Sequence, residues 1–134
     1  MRYWLLKSEP NTWSWEDQIK EGASMWDGVR NYQARNNLKK MKIGDLCFFY
    51  HSVTEKSVIG IVQVVKESYP DPTDKSGKFV VVDVKATKKL KKSVTLERIK
   101  INRKLREIAL IKQSRLSVMP LKKIEWDTII KMSL

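Results

Sequence analysis

The pattern of apolar and polar positions divides the chain into short, unlike elements. Arg2 to Lys7 (RYWLLK) is aromatic and aliphatic throughout its middle and predicts a buried first strand. Ser14 followed by Asp17 at capping-box spacing, with Gly22 as a stop, predicts a helix over Trp15–Glu21. Ser24 to Arg30 has neither period and reads as irregular. From Asn31 to Met41 the period is helical. Ala34, Leu38 and Met41 form a buried stripe, and Arg35, Lys39 and Lys42 form a basic stripe one residue on. Ile43-Gly44-Asp45 is a turn. Leu46 to His51 and Ser57 to Val65 are nearly continuous apolar runs, which predict strands buried on both faces, joined by the polar loop Ser52 to Lys56. Gly60 within the second run marks a bulge or sharp bend. Tyr69 to Gly77 (YPDPTDKSG) reads as a loop and Lys78 to Lys85 as a strand. Thr95 to Asn102 and Lys104 to Ile111 predict short helices, and Arg115 to Met119 a last strand. Pro120 is placed to open a final helix, in which Trp126, Ile129 and Ile130 share a face.

This order is α+β, with about five or six strands and several short helices, and without the regular alternation of a doubly wound sheet. A small, bent β-barrel with helices packed outside fits it. No repeat, low-complexity segment or linker divides the chain, so residues 1–134 are expected to form one domain.

Composition narrows the function. At 134 residues, with 42% hydrophobic and 31% charged positions, the chain can bury a core without staples. No apolar run is long enough to cross a bilayer, and MRYWLLKSEP lacks the features of a signal peptide. The single cysteine, Cys47, cannot make an internal disulfide or a zinc cluster, and inside LCFFY it reads as a packed thiol. These features point to a reducing compartment, cytoplasm or nucleus, and to no cofactor or metal. Charge carries more information. There are 27 Lys and Arg against 15 Asp and Glu, a net of +12, which points to a polyanionic partner with nucleic acid foremost. The excess is clustered. Gly28 to Lys42 holds five basic residues and no acid, and Lys85 to Leu134 holds fifteen basic residues and four acids. Clustering favours a surface patch; a basic chain can also be merely well solvated.

Catalytic motifs are absent: there is no G-x-S-x-G, Walker A, G-x-G-x-x-G or H-E-x-x-H. His51 and Ser52 are neighbours at a strand end, where successive side chains point apart. Asp71 and Asp74 sit among prolines and a glycine and read as turn formers. Binding chemistry is better supplied. Of five tryptophans, Trp4 and Trp126 fall on core positions, and Trp13 and Trp15 flank a helix start. Trp26 precedes Gly28, Arg30 and Asn31, and a base pocket needs such an aromatic plane beside polar donors. On composition alone, Trp26 as core and Asn31 as a helix cap remain equally open. Glu9 can accept from an exocyclic amino group, or it can be a plain exposed acid before Pro10. Arg115 can clamp phosphate or serve an ion pair.

Five stretches carry a resemblance: YWLLKSEPNTWSW from Tyr3, WDGVRNYQARN from Trp26, GDLCFFYHS from Gly44, YPDPT from Tyr69 and LIKQSRLSV from Leu110. Through them the chain is identified as a member of the EVE domain family. The lysine-rich stretch Lys85 to Lys104 lies outside these motifs. The resemblance implies a PUA-like fold, related to PUA, ASCH and YTH domains. It also implies a pocket for a modified nucleobase, methylated or hydroxymethylated cytosine in DNA. Carried over motif by motif, the base-pocket candidates are Lys7, Ser8, Glu9, Trp26, Arg30, Asn31, His51, Ser52, Ser114 and Arg115. Arg35, Lys39 and Lys42 are the candidates for phosphate contacts.

The leading expectation is a non-catalytic, monomeric module that binds DNA or RNA carrying a modified base. Three alternatives stay open at this level: an RNA-binding module for tRNA or rRNA, an enzyme using Glu9 or His51 as its acid–base group, and a methyl-lysine reader. The basic surface argues against the last.

Overall fold

The opening apolar run becomes the interior of the sheet. In the computed structural model, which describes residues 1–134, β1 (Tyr3–Ser8) pairs in parallel with β3 (Leu46–His51) and antiparallel with β6 (Val118–Leu121). With strands on both sides, Trp4, Leu5 and Leu6 are buried to 1% exposure or less. β4 (Ser57–Pro70) and β5 (Val80–Thr95) continue the sheet beyond β3, and β2 (Ala23–Met25) closes the far edge. The order is β2-β5-β4-β3-β1-β6. The class and strand number match the expectation, but the ladder is open: β2 and β6 are its two ends and do not pair.

Bending replaces closure. β4 has 14 residues and would span roughly 46 Å if straight, against a radius of gyration of about 14 Å for a domain of this size. Four register shifts between β4 and β5 let the pair curl over the core. Gly60 sits at one of them, and its role is specific. A Cβ there would lie 2.6 and 2.7 Å from the Trp15 ring atoms Cζ3 and Cζ2, so the indole fills the space a side chain would take.

The helices wrap this sheet: α1 (Trp15–Glu21), α2 (Tyr32–Lys40), α3 (Leu96–Lys100), a 3-10 turn at Arg103–Leu105, α4 (Ala109–Lys112) and α5 (Lys123–Met132). α1 has the expected bounds and cap, with Ser14 Oγ accepting from Asp17 N–H and Asp17 accepting from Ser14 N–H. The stripe of Ala34 and Leu38 in α2, with its C-cap Met41, is at most 1% exposed.

Several boundaries differ from the sequence reading. β4 runs on to Pro70, so Tyr69 and Pro70 belong to a strand, held by pairing with Val81 and Val80 and not by burial. β5 continues through the lysine run because Leu90 and Val94 keep one side of it in the core. Ala23–Met25 is a strand recruited by β5, too short for a two-residue period to show. The predicted helix Lys104 to Ile111 is two separate turns, and the N-cap of α4, Ile108, supplies no side-chain cap. Pro120 lies within β6, an edge strand where its missing N–H costs no ladder bond. α5 starts later, where Glu125 accepts the Lys122 N–H at 2.8 Å. No helix is long and apolar enough to cross a membrane.

Candidate nucleic-acid interface

Three segments meet around a cleft of about 860 Å³, within the usual range for ligand pockets of about 300–1,000 Å³. The end of β1 and the turn after it supply Lys7, Ser8, Glu9, Thr12 and Trp13. The passage from α1 through β2 supplies Glu21, Ala23, Ser24, Met25, Trp26, Asp27 and Gly28, and the far ends of β4 and β5 supply Tyr69 and Asp83.

Each wall has a local cause. Ser8 Oγ donates to the Trp13 carbonyl, folding the turn back on β1, and Trp13 Nε1 donates to Gln18 at 3.0 Å. Trp26 N–H donates to the Val82 carbonyl at 2.8 Å, and its indole meets Phe49 edge to face with centroids 5.5 Å apart. At 7% exposure Trp26 is a core residue that also forms part of the cleft wall. Gly28 has φ +79°, a left-handed turn that sends the chain off the cleft toward α2.

The electrostatics of the cleft oppose those of the chain. Four carboxylates (Glu9, Glu21, Asp27 and Asp83) face one ammonium, Lys7. Lys7 Nζ donates to the Ser114 carbonyl at 2.7 Å, and partial burial lowers its pKa. Tyr69 donates its hydroxyl to Asp83, and this bond, helped by burial, pushes the phenol up to about 12. It therefore stays a neutral donor at neutral pH. Such a lining is rich in acceptors and suits a ligand that presents amino hydrogens beside an aromatic face. A phosphate does not suit it. No group of three or more His, Cys, Asp or Glu is placed to hold a metal.

Of the ten base-pocket candidates, Lys7, Ser8, Glu9 and Trp26 come together here and six do not. Arg30 reaches away to Asp71, whose side chain has no exposure, at 3.0 Å, and to Thr73 at 3.0 Å. Asn31 caps α2, accepting from Ala34 N–H at 2.9 Å. His51 is 3% exposed behind α1. Its Nε2 accepts the Trp15 N–H at 3.1 Å, which assigns the proton to Nδ1, facing Glu55 at 3.0 Å. Ser52 bonds the Ser8 carbonyl through both its N–H and its Oγ. Ser114 holds Lys7 by its carbonyl but does not line the cleft, and Arg115 is exposed with no recorded partner. These residues brace the walls. Arg35, Lys39 and Lys42 remain accessible on and beside α2; Arg35 lies with Cζ 4.8 Å from the Tyr32 ring centroid.

Sequence reasoning missed Trp13, Tyr69, Asp27 and Asp83. The first three stand inside the resembling stretches, so the signal was present. Asp83 is visible only through the pairing of β5 with β2. Asp71 and Asp74 are turn formers as expected. Asp71 accepts from Thr73, Gly28 and Arg30, and Asp74 from Ser76, Lys78 and Phe79.

A family model described as "EVE domain" matches residues 2–132. The chain belongs to the EVE domain family. This EVE domain is 38% identical to mouse thymocyte nuclear protein 1 over 169 residues, covering 97% of the chain and 73% of that relative. A solution structure from Rhodopseudomonas palustris matches with 48% identity and TM-score 0.93, covering 99% of this chain and 93% of that one. A crystal structure of human THYN1 in complex with DNA containing 5-methylcytosine matches with 33% identity and TM-score 0.93, covering 99% and 98%. An ASCH protein from Zymomonas mobilis, at 12% identity and TM-score 0.63 over 99% and 96%, shares the fold alone. The fold is PUA-like, as the resemblance implied.

Proposed function

We propose that this EVE domain is a non-catalytic reader of 5-methylcytosine in DNA. The observation that carries the reading is an aromatic, carboxylate-lined cleft in a chain of net charge +12. The human relative bound to 5-methylcytosine-containing DNA supports the choice of ligand.

The cleft cannot receive a base that stays stacked in a duplex, so the nucleotide is turned out, at a cost of a few kcal/mol. Stacking on the partly exposed indole of Trp13, with Trp26 as the apolar back wall, returns about 1–3 kcal/mol. Glu9 and Asp83 are the acceptors for the cytosine amino group. Burying the 5-methyl adds about 0.8 kcal/mol, which corresponds to roughly fourfold preference over cytosine. Base chemistry thus supplies selectivity, while backbone contacts on α2 supply much of the affinity. The non-catalytic reading is supported by the DNA-bound human relative and by the placement of His51, which leaves Glu9 as the one acid–base candidate in the cleft, here assigned to binding. Both ring nitrogens of His51 are engaged, and it is no part of the cleft.

The test compares matched duplexes carrying cytosine, 5-methylcytosine or 5-hydroxymethylcytosine, with an RNA arm, across a salt titration. A methyl preference that persists as salt rises, and that Glu9→Gln or Trp13→Ala abolishes while general affinity remains, is expected. Equal binding to every probe, or a preference untouched by both substitutions, refutes the reading.

A further inference from the structure

The cleft leaves the densest charge of the molecule unused. From Lys85 to Arg106 the chain carries ten basic residues and a single acid, Glu97. All ten are exposed, and none belongs to the four ion pairs of the structure. Five of them, Lys85, Lys88, Lys89, Lys91 and Lys92, lie on β5. This row begins at the cleft. Asp83 lines it, and Lys85, two residues on, pairs with Ala23, which lines it too.

Two irregularities bring the remaining lysines out. Val62 faces Ala86 and the next pair is Ile61 with Lys88, which leaves Thr87 as an extra residue. Gly60 faces Lys89 and the next pair is Val58 with Val94, so Leu90 to Ser93 stand opposite Ile59 alone. A regular strand would turn alternate lysines inward. Here Leu90 and Val94 stay buried while Lys88, Lys89, Lys91 and Lys92 all reach solvent. β2 ends at its pairing with Asp83 to Lys85, so no strand covers the outer edge of β5 beyond it.

Seven strand steps from Lys85 to Lys92 span at most about 23 Å. One DNA strand presents a phosphate every 3.4 Å or so of helix axis, about six or seven phosphates over that length. We propose that the lysine edge of β5 is a phosphate track that holds the DNA backbone flanking the base in the cleft. The identity of the polyanion rests on the reader proposed above; the track itself rests on the unpaired lysines. Edge lysines can also serve only to keep sheets from pairing, and that role makes a different prediction.

The experiment uses the full chain and the variant Lys88→Gln/Lys89→Gln/Lys91→Gln/Lys92→Gln. Affinity is measured from 50 to 200 mM salt for a duplex of about two turns with one central 5-methylcytosine, and for its unmethylated twin. The expected slope of log affinity against log salt is shallower by three to four, so the variant loses roughly 100-fold less affinity across the range. The ratio between the two duplexes stays unchanged. If the quadruple variant melts early, the pairs Lys88/Lys89 and Lys91/Lys92 changed separately each give half the shift. A wild-type slope in a folded variant overturns the track, and self-association with a wild-type slope assigns the lysines to edge protection alone. A slope change without methyl preference in either protein keeps the track and refutes the reader.

Discussion

Gly60→Ala tests how the fold sets the cleft. The added methyl would stand 2.6 and 2.7 Å from Cζ3 and Cζ2 of Trp15, about 1 Å inside the normal carbon–carbon separation of about 3.5–4.0 Å. Trp15 has no slack. It is 1% exposed, packs edge-on against Phe49 at 5.4 Å, and its N–H is tied to His51. Relief requires either an off-rotamer indole or a displaced α1. Overpacking of this kind costs about 1–3 kcal/mol, and the rigid surroundings argue for the upper half. At about 4 °C per kcal/mol for a chain of this length, Tm should fall by about 8–12 °C. Because α1 leads straight into β2, methyl preference should weaken along with stability. The assay is thermal and urea unfolding of a double-mutant cycle with Trp15→Phe. That substitution removes the ring atoms in the way, together with an indole N–H that has no partner in the structure. The double variant should therefore be more stable than the sum of its parts predicts, by about 1–2 kcal/mol. A Gly60→Ala protein melting within 2 °C or so of wild type, or a cycle with no coupling, refutes the packing argument.

Other residues give sharp expectations. Asp71→Asn should cost about 1–3 kcal/mol in urea denaturation, because the buried carboxylate is shared by Arg30, Thr73 and the Gly28 N–H. At Asp71, burial alone would raise the pKa, but the bonds from Thr73, Arg30 and Gly28 outweigh it and hold the pKa below 3.8. At Asp45, burial is likewise outweighed by the N–H groups of Arg2, Lys42 and Trp4. A depressed folded pKa means that this stabilisation is present above about pH 4 and is lost as pH falls through the folded values. Unfolding free energy measured at pH 6, 4 and 3 should drop at the acid end, and less steeply in Asp45→Asn. Cys47 has no exposure, and burial pushes its thiol pKa far up, so a thiol reagent should react only at the rate of unfolding.

Much of the site was readable in part from sequence. Lys7, Ser8, Glu9 and Trp26, which short, specific stretches had grouped, line one cleft. A single turn keeps Arg30 and Asn31 out of that cleft. Gly28 at φ +79° separates them from Trp26, so neighbours in sequence face different partners in space. His51 followed the same logic: at the end of β3 it is spent on the N–H of Trp15, 36 residues away.

Local periodicity and capping determined α1, the buried stripe of α2, the apolar strands and the placement of charge, because each depends on residues within one or two turns. Tertiary structure alone decided the open sheet, the recruitment of β2, the cleft and the exposed lysine edge. Strand pairing joins residues such as Asp83 and Met25, 58 positions apart, through backbone hydrogen bonds. Those bonds are nearly blind to side-chain identity, so no local pattern in the sequence records them.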